Sequence, residues 1–290
     1  MREQIFSGIF GYDIKYSLSP AIQNTMSRLA GVNLCYGRFD VPPEKFTVAF
    51  NGFKALKIKG ANITQPYKIN VLDHVDRLSG DAELIGSVNT VNLEKDGSYS
   101  GYNTDVIGFI KAVRYEFKEG LKDKKITVLG AGGASRAIIY ALIKESAKDV
   151  LIINRNIEKA MILKEDAEIW KRVLQSGSTV LYSGFNLDDA LSRATLENSD
   201  IIVNTVTPSS ESGELIKQFF LENLSDKKSL PLLMDISYSA EAARLLNSMG
   251  KKTLMSVNGL SMLFFQAIES FYIWTGKRID FNALKEALPV

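Results

Sequence analysis

The stretch that decides the fold is Ile126-Thr-Val-Leu-Gly130-Ala-Gly132-Gly133-Ala-Ser135-Arg136. Aliphatic and β-branched residues come first, a cluster of glycines follows, and an apolar helical pattern begins directly afterwards at residues 137–143. This order predicts a strand, a tight turn and a helix. In α/β proteins such a turn binds the phosphates of a dinucleotide.

The residue types in this turn suit an anion. Glycine at the first position permits the tight turn, and glycine at the third lets the backbone approach a pyrophosphate. Unpaired N–H groups at the start of the helix attract negative charge. The third glycine of the usual G-x-G-x-x-G pattern is replaced by a serine, which is small enough for helix–strand packing and adds a hydroxyl donor. The alternative is a plain structural turn. The predicted cofactor-binding residues are Gly130, Ala131, Gly132, Gly133, Ala134 and Ser135.

The loop after the next predicted strand bears on the choice of cofactor. NAD-binding folds usually place a carboxylate about 20 residues beyond the glycines, where it binds the ribose 2′-hydroxyl. This chain has Asn154, Arg155 and, one turn later, Lys159. A cation there favours a 2′-phosphate, so we predict NADP, with NAD as a possible substitute. The alternative is that Arg155 is a solvated loop residue.

Length and composition restrict the class of protein. The chain has 290 residues, of which 46% are hydrophobic, which is enough for two domains with separate cores. Its 35 basic and 33 acidic residues give a net charge of +2, too little to hold nucleic acid or anionic lipid. We therefore expect a small-molecule substrate, no nucleic-acid or membrane partner, and either a monomer or a homodimer.

Two residue types that occur only once, cysteine and histidine, exclude several other classes of protein. The single cysteine, Cys35, cannot form an internal disulfide, and the apolar stretch at residues 5–10 is too short for a signal or a membrane span. Both observations favour a cytoplasmic protein. His74 is the only histidine. A metal site or a histidine-based hydrolase triad is therefore not expected.

The first part of the chain alternates between strand and helix signals. Residues 4–12 predict a strand, and Ser19-Pro20 predicts a helix that ends near Gly31, with Ser19 as the N-cap and Pro20 as the first helical residue. Helix initiation leaves Ser17 unexplained. Strands near residues 35–39 and 58–63 flank another helix. This alternation predicts an α/β first domain.

Lys68 follows the second of these strands. Pro66 predicts a new helix, which would place Lys68 in its first turn. The helix dipole disfavours a cation at that end, so a functional role is one interpretation and an exposed lysine is the other. Residues 84–92 then alternate with period two and lead through Asp96-Gly97 into a second short strand, which predicts a hairpin.

The hairpin ends in Asn103-Thr104-Asp105, and a helical pattern follows. Asp105 would lie in the first turn of that helix, where the dipole stabilises a carboxylate. Helix chemistry alone could therefore explain it. However, Lys68 and Asp105 both lie at junctions between a strand and a helix, where α/β sheets bind their ligands. We therefore expect the two side chains to share a site.

The second half of the chain predicts a doubly wound parallel sheet. Further strands are expected at residues 179–182, 200–204, 232–236 and 253–257, with helices between them. The last long helix, near residues 259–276, is apolar except for Gln266. A buried amide needs hydrogen-bond partners, so either a ligand or a backbone carbonyl should meet it.

Taken together, these motifs resemble the shikimate/quinate dehydrogenase family over nearly the whole chain. The matching blocks are Ser17-x-Ser19-Pro20, Gly60-Ala-Asn62-Ile-Thr64-x-Pro66-x-Lys68, Gly86-x-Val88-Asn89-Thr90, Asn103-Thr104-Asp105-x-x-Gly108, Gly130-Ala-Gly132-Gly133-Ala134-Ser135-Arg136, Asn154-Arg155, and Gln266 with Trp274-Thr275-Gly276. Several blocks in the right order are more specific than any one of them.

The resemblance implies a fold and an activity. Residues 1–105 would form an α/β substrate domain completed by helices from about 259–290, and residues 106–258 would form a Rossmann domain that binds NADP. The activity would be the NADP-dependent, reversible reduction of 3-dehydroshikimate to shikimate in aromatic amino acid biosynthesis. Lys68 and Asp105 would be the catalytic pair. The substrate carboxylate would contact Ser17, Ser19 and Tyr238, and the hydroxyls would contact Thr64, Asn89 and Gln266.

The chain departs from the family pattern in three places. Asn156 and Lys159 replace the usual Thr and Arg, the family's Pro and Thr are missing after Tyr238, and the segment at Pro208 lacks the usual Gly-Met. These departures concern the cofactor more than the substrate. They leave two alternatives: a quinate or dual quinate/shikimate dehydrogenase using NAD, and a non-catalytic dinucleotide-binding regulatory protein.

Overall fold

The computed structural model describes residues 4–186, 189–206, 219, 230–249 and 253–288. The chain divides into two compact units, one comprising Met1–Gly108 with Leu263–Val290 and the other Phe109–Met262. The second unit is continuous in sequence, whereas the first is interrupted by it. None of the helices in the described ranges is long and apolar enough to cross a membrane.

The first unit contains a mixed six-stranded sheet. Its strands are β1 (Ile5–Gly11), β2 (Leu34–Asp40), β3 (Gly60–Ile63), β4 (Arg77–Leu78), β5 (Thr90–Leu93) and β6 (Tyr99–Tyr102). Their order is β2-β1-β3-β5-β6-β4, in which β5 pairs antiparallel with both β3 and β6. The helices are α1 (Ser19–Ala30), α2 (Phe46–Ala55) and α3 (Gly80–Ile85), with 3-10 turns at Pro43–Lys45 and Asn70–His74. The helix α4 (Asp105–Phe117) begins in this unit and continues past its boundary at Gly108.

Two sequence predictions in this unit are wrong in detail. The helix at Pro20 begins at Ser19, so Ser19 is its first residue and Leu18 occupies the N-cap position. The backbone N–H of Ser19 donates to the Ser17 hydroxyl oxygen at 3.3 Å, so the preceding serine does the capping. The predicted hairpin exists, but its first strand starts at residue 90, because Ser79 caps α3 before it.

The predicted helix at Pro66 is also wrong. Residues 65–69 form a turn, and the 3-10 helix starts only at residue 70. The carbonyl oxygen of Lys68 accepts from the backbone N–H of Val88 at 2.9 Å, so it is not available to a helix. Tyr67 anchors the turn, because its ring stacks on Phe46 and its hydroxyl donates to the carbonyl of Val41. The dipole argument for Lys68 therefore does not apply.

The second unit is the predicted doubly wound sheet. Its strands are β7 (Lys125–Leu129), β8 (Asp149–Ile153), β9 (Thr179–Ser183), β10 (Ile201–Asn204), β11 (Leu232–Asp235) and β12 (Met255–Val257), all parallel. Their order, β12-β11-β10-β7-β8-β9, is that of dinucleotide-binding folds. Between them lie α5 (Gly133–Lys144), α6 (Ile157–Leu174), α7 (Ala190–Glu197) and α8 (Ala240–Met249). The chain order reverses between β7 and β10, which is where such sheets bind ligands.

Each unit has its own core. In the first unit the core is rich in aromatic rings, including Phe10, Phe46, Phe50, Phe53, Tyr67 and Tyr99. The second core consists mainly of aliphatic side chains from the central strands, such as Leu129, Leu151, Ile202 and Leu233. Continuous aliphatic runs are expected for parallel strands that are covered on both faces.

The last two helices, α9 (Leu260–Thr275) and α10 (Phe281–Ala287), confirm the prediction that the C-terminal segment returns to the first domain. The buried amide of Gln23 in α1 donates to the carbonyl of Ala267 and to the hydroxyl of Ser270, each at 3.2 Å. The indole N–H of Trp274 donates to the carbonyl of Val91 at 2.9 Å. These bonds join α9 to both α1 and β5.

Gly60 allows the Trp274 contact, and its replacement tests this packing. A Cβ at Gly60 would lie 2.1 Å from the indole nitrogen and 2.7 Å from the carbonyl oxygen of Val91. We expect Gly60→Ala to lower the free energy of unfolding by about 1–3 kcal/mol, because overpacking forces the backbone or the ring to move. The shift of the urea unfolding midpoint measures it.

Gly52→Ala provides the matched control. Gly52 lies inside α2, and a Cβ there would meet no atom within 4 Å. This substitution should raise the free energy of unfolding by about 0.5–1 kcal/mol, since alanine loses less entropy in a helix. Equal effects of the two substitutions would show that the Trp274 contact does not depend on a glycine.

Candidate functional site

The structure brings Lys68 and Asp105 into direct contact. The Lys68 ammonium donates to Asp105 Oδ2 at 2.7 Å, and the two side chains are 15% and 9% exposed. Lys68 comes from the turn after β3, whereas Asp105 is the first residue of α4. The pair is thus shielded from bulk water, yet the lysine keeps some access to solvent.

Asn89 completes the surroundings of the carboxylate. Its Nδ2 donates to Asp105 Oδ1 at 2.8 Å, and its Oδ1 accepts from the backbone N–H of Thr104 at 2.8 Å. The Asn103 side chain caps α4 by accepting from the Asp105 backbone N–H at 3.2 Å. Both carboxylate oxygens of Asp105 therefore receive a donor, which suits an ionised aspartate.

Gln266 lies beside this group on α9. Its Nε2 donates to the carbonyl of Leu263 at 2.9 Å, so a backbone partner meets the amide, as one of the two sequence interpretations held. The Thr104 hydroxyl donates to its Oε1 at 3.4 Å. The amide also has a second N–H, which a ligand could use.

The predicted substrate-binding hydroxyls lie in the same unit. Ser17 is half-buried just before α1, and its carbonyl accepts from the Arg38 guanidinium at 3.0 Å. Ser19 is buried as the first residue of that helix. Thr64 directly follows β3 and is half-buried, with its backbone N–H donating to the carbonyl of Phe10. Their contacts with substrate groups stay a prediction.

The glycine turn after β7 has the expected backbone. Gly130 has φ +109°, and a Cβ there would lie 2.3 Å from Thr205 Oγ1, so only glycine fits without strain. A Cβ on Gly132 would meet nothing within 4 Å, so this backbone lies open. The helix α5 starts at Gly133 and has no acidic residue in its first turn. The turn fits a pyrophosphate.

The Ser135 side chain forms hydrogen bonds within the glycine turn and to the segment after β10. It is 1% exposed, and its Oγ accepts from the Gly132 backbone N–H at 3.0 Å. The same oxygen lies 2.7 Å from the Thr205 hydroxyl, which belongs to the segment after β10. The side chain therefore joins the two loops at the switch point of the sheet. The part of Ser135 in cofactor binding stays a prediction.

The loop after β8 is exposed, including Arg155 and Lys159. Asn156 caps α6 by accepting from the Lys159 backbone N–H at 3.2 Å. Threonine can cap a helix in the same way, so this departure from the family pattern is structurally neutral. The Asn154 amide donates to the carbonyl of Asn156 at 2.8 Å, which shapes the loop.

Tyr238 and Pro208 belong to the other two departures. Tyr238 lies between β11 and α8 in the second unit and is 37% exposed. Its contact with a substrate carboxylate stays a prediction. Pro208 lies outside the described residues.

Sequence reasoning missed a buried pair at the carboxyl ends of β10 and β11. Asn204 and Asp235 are each 1% exposed, and the Asn204 amide donates to Asp235 Oδ2 at 2.8 Å. Asp235 Oδ1 accepts from the Ser237 backbone N–H at 2.8 Å. Burial raises the pKa of Asp235 to about 6, although the bonds from Asn204 and Ser237 act to lower it. The sequence could have indicated this pair, because Asn204 and Asp235 are polar residues that each end an apolar strand.

Family models match nearly the whole chain. They are described as the shikimate dehydrogenase substrate binding domain at residues 9–91, shikimate / quinate 5-dehydrogenase at 112–262, and the shikimate 5′-dehydrogenase C-terminal domain at 259–288. A shikimate dehydrogenase (NADP(+)) of Methanococcus maripaludis is 37% identical over 286 residues, covering 97% of this chain and 95% of the relative.

Solved structures agree with these matches. The crystal structure of shikimate dehydrogenase from Aquifex aeolicus is 36% identical, with a TM-score of 0.79 and coverage of 99% of this chain and 98% of the other. The Thermus thermophilus shikimate 5-dehydrogenase in complex with NADP(H) and shikimate is 26% identical, with a TM-score of 0.77 and 98% coverage of both chains.

The raised pKa of Asp235 predicts a pH dependence of stability. Because its pKa rises from 3.8 to about 6 on folding, the folded state binds this proton more tightly. The resulting stabilisation is complete below pH 3.8 and is lost as the pH rises through 6. Over that window wild type should lose up to ~3 kcal/mol relative to Asp235→Asn. Urea unfolding between pH 4 and pH 7.5 measures the difference.

Asp76→Asn serves as the control for this titration. A hydrogen bond from the Tyr99 backbone lowers the pKa of Asp76, so its stabilisation is lost only in acid. The difference between wild type and Asp76→Asn should therefore be flat between pH 5 and 7.5. A flat difference for Asp235→Asn as well would contradict the assignment.

Proposed function

The chain belongs to the shikimate/quinate dehydrogenase family, and from this premise we propose that it is an NADP-dependent shikimate dehydrogenase. It would reduce 3-dehydroshikimate reversibly to shikimate in aromatic amino acid biosynthesis. The observation that carries the proposal is the contact of Lys68 with Asp105, held by Asn89, at a shielded position. That arrangement can move a proton at a carbonyl oxygen.

Lys68 supplies the proton in this proposal. Reduction of a ketone builds negative charge on its oxygen, so a nearby cation stabilises the charge and a nearby acid protonates it. An ammonium group has three donors, of which Asp105 takes one. The remaining donors are available to the substrate oxygen. Asp105 keeps the ammonium in place through the 2.7 Å bond to its Oδ2.

The second unit would hold the cofactor. The open backbone at Gly132 and the start of α5 at Gly133 would bind the pyrophosphate, and Arg155 with Lys159 would bind the 2′-phosphate. NADPH supplies the hydride when it is bound. Asn154 would orient the ribose through the loop that its amide shapes.

Substrate recognition would follow the family pattern in the first unit. Ser17 and Ser19 would hold the carboxylate, with help from Tyr238. Thr64 and Gln266 would hold hydroxyls, and the second N–H of the Gln266 amide supports its part. Asn89 already uses both amide hydrogens, on Thr104 Oγ1 and Asp105 Oδ1, so its contact with a hydroxyl would replace one of these bonds.

Location and assembly complete the proposal. The single exposed cysteine suits a reducing compartment, so we place the protein in the cytoplasm. We propose a monomer or a homodimer, which size-exclusion chromatography would distinguish.

Purified protein should form NADPH from shikimate and NADP⁺, detected by absorbance. The assay compares shikimate with quinate and NADP⁺ with NAD⁺, which separates the proposed enzyme from a quinate or dual enzyme that uses NAD. Binding of NADP without turnover of either acid would instead favour a regulatory dinucleotide-binding protein. Lack of both binding and turnover would end the proposal.

Lys68→Ala should lower kcat by about 100-fold or more with a much smaller rise in KM, since its contact strengthens in the transition state. Steady-state kinetics with shikimate measure both constants. Lys54→Ala is the control, because Lys54 pairs with Asp76 at 3.2 Å in the same unit without touching the site. An unchanged kcat in Lys68→Ala would remove this lysine from the chemistry.

Arg155→Ala should raise the KM for NADP⁺ selectively, because only NADP⁺ carries the 2′-phosphate. The measurement compares KM for NADP⁺ and NAD⁺ in wild type and variant. Arg172→Ala, in the last turn of α6, is the charge-matched control. Equal loss for both cofactors would show that Arg155 does not read the 2′-phosphate.

A further inference from the structure

A chain of buried polar side chains leads from β2 to the Lys68–Asp105 pair. Tyr36, Asn62 and Thr90 are 3%, 6% and 0% exposed and lie on three strands of the first sheet. We propose that these three residues are positioning residues that fix the Asn89 amide and, through it, the Asp105 carboxylate. This inference adds positioning residues to the proposed dehydrogenase, and its kinetic test rests on that proposed function.

The direction of these hydrogen bonds is set at Asn62, between the Tyr36 hydroxyl and the backbone carbonyl of Asn89. The Tyr36 hydroxyl lies 2.7 Å from Asn62 Oδ1 and donates to it. Burial raises the pKa of Tyr36 well above its usual value, so the hydroxyl keeps its proton. The Asn89 carbonyl can only accept, so Asn62 Nδ2 must face it, at 3.3 Å, and the same nitrogen donates to Thr90 Oγ1 at 3.1 Å. Asn62 Oδ1 is thereby left to accept from Tyr36.

Thr90 links Asn62 to Asn89 by hydrogen bonds of defined direction. Its oxygen accepts from Asn62, and its single hydrogen is donated to Asn89 Oδ1 at 3.0 Å. A second hydroxyl, that of Thr104, lies 3.2 Å away and accepts from Asn89 Nδ2 at 3.0 Å. Asn62 and Thr90 are direct cross-strand partners in the β3–β5 ladder, so backbone pairing keeps the two side chains side by side.

The hydrogen bond at the Asn89 end independently requires the same orientation of the Asn89 amide. The backbone N–H of Thr104 can only donate, and it donates to Asn89 Oδ1 at 2.8 Å. Both ends therefore require Asn89 Oδ1 to face the Thr90 hydroxyl and the Thr104 backbone N–H, and Asn89 Nδ2 to face Asp105. The Asn89 amide thus presents a donor to Asp105 Oδ1, while Lys68 donates to Oδ2.

This orientation matters for proton transfer. If the amide were reversed, its carbonyl oxygen would face a carboxylate oxygen at 2.8 Å and repel it. The carboxylate would then turn away, and the Lys68 ammonium would lose its hydrogen-bond partner. Catalytic groups must be held within about 0.5 Å of their productive geometry, so supporting residues of this kind affect the rate.

Thr90→Val tests the proposal, because valine keeps the shape of threonine and removes the hydroxyl. We expect kcat to fall roughly 10- to 100-fold with KM changed by less than about threefold, as for a misplaced catalytic group. Thr90→Ser keeps the hydroxyl and should restore kcat to within about threefold of wild type. Loss of kcat in both variants alike, or in neither, would overturn the proposal.

Tyr36→Phe and Tyr99→Phe form a matched pair. Tyr99 is 2% exposed and donates to the carbonyl of Ile58 at 3.0 Å in the same unit, outside the chain of bonds to Asp105. Both variants should lower the unfolding midpoint, but only Tyr36→Phe should lower kcat. Equal kcat values would show that Tyr36 acts on stability alone.

Two further readouts separate this proposal from the proposed function. In an Asp105→Asn background, Thr90→Val should cause no additional loss of kcat, because its effect passes through Asp105; full additivity would contradict this. The side-chain amide signals of Asn89 in ¹⁵N spectra, assigned with Asn89→Ala, should shift in Thr90→Val and stay in place in Tyr99→Phe. If wild type lacked dehydrogenase activity, the proposed function would fail, and these amide signals would still decide the orientation.

Discussion

The ionised carboxylate of Asp105 is the constraint around which the first unit is organised. A carboxylate that is 9% exposed is costly unless both oxygens find donors. Lys68 and Asn89 provide them, and each comes from a different part of the chain. The turn after β3, the residue before β5 and the start of α4 must therefore meet at one point. The mixed sheet and the helices around it hold these three segments together.

The pairing of Lys68 with Asp105 could be anticipated from their positions at the ends of strands, although the helix expected at Lys68 does not exist. The sequence offers no sign that the Lys68 carbonyl bonds to Val88, because such a contact joins distant segments. Tyr36 and Thr90 were not recognised for a similar reason. On strands, tyrosine and threonine are typical residues whatever they contact, so their hydrogen bonds become visible only in three dimensions.

The fold was easier to anticipate in the second unit than in the first. Long aliphatic runs separated by helical patterns are specific for a parallel sheet that is covered on both faces, and all six strands lie where they were expected. The first unit contains short strands and helices, in which a single cap decides the boundaries. The helix α3, which Ser79 caps, takes residues 84 and 85 from the predicted strand, and Ser17 takes over the capping expected of Ser19.

The interrupted first unit also has a consequence for the order of folding during translation. The ribosome makes α9 only after nearly all of the second unit, yet Trp274 and the acceptors of the Gln23 amide, the Ala267 carbonyl and the Ser270 hydroxyl, belong to α9. The continuous second unit can fold as soon as it leaves the exit tunnel, because domains fold as units. The unit that carries Lys68 and Asp105 waits with an unfinished core until α9 has been made. Chaperones and proteases would therefore meet the nascent chain mainly on this unit.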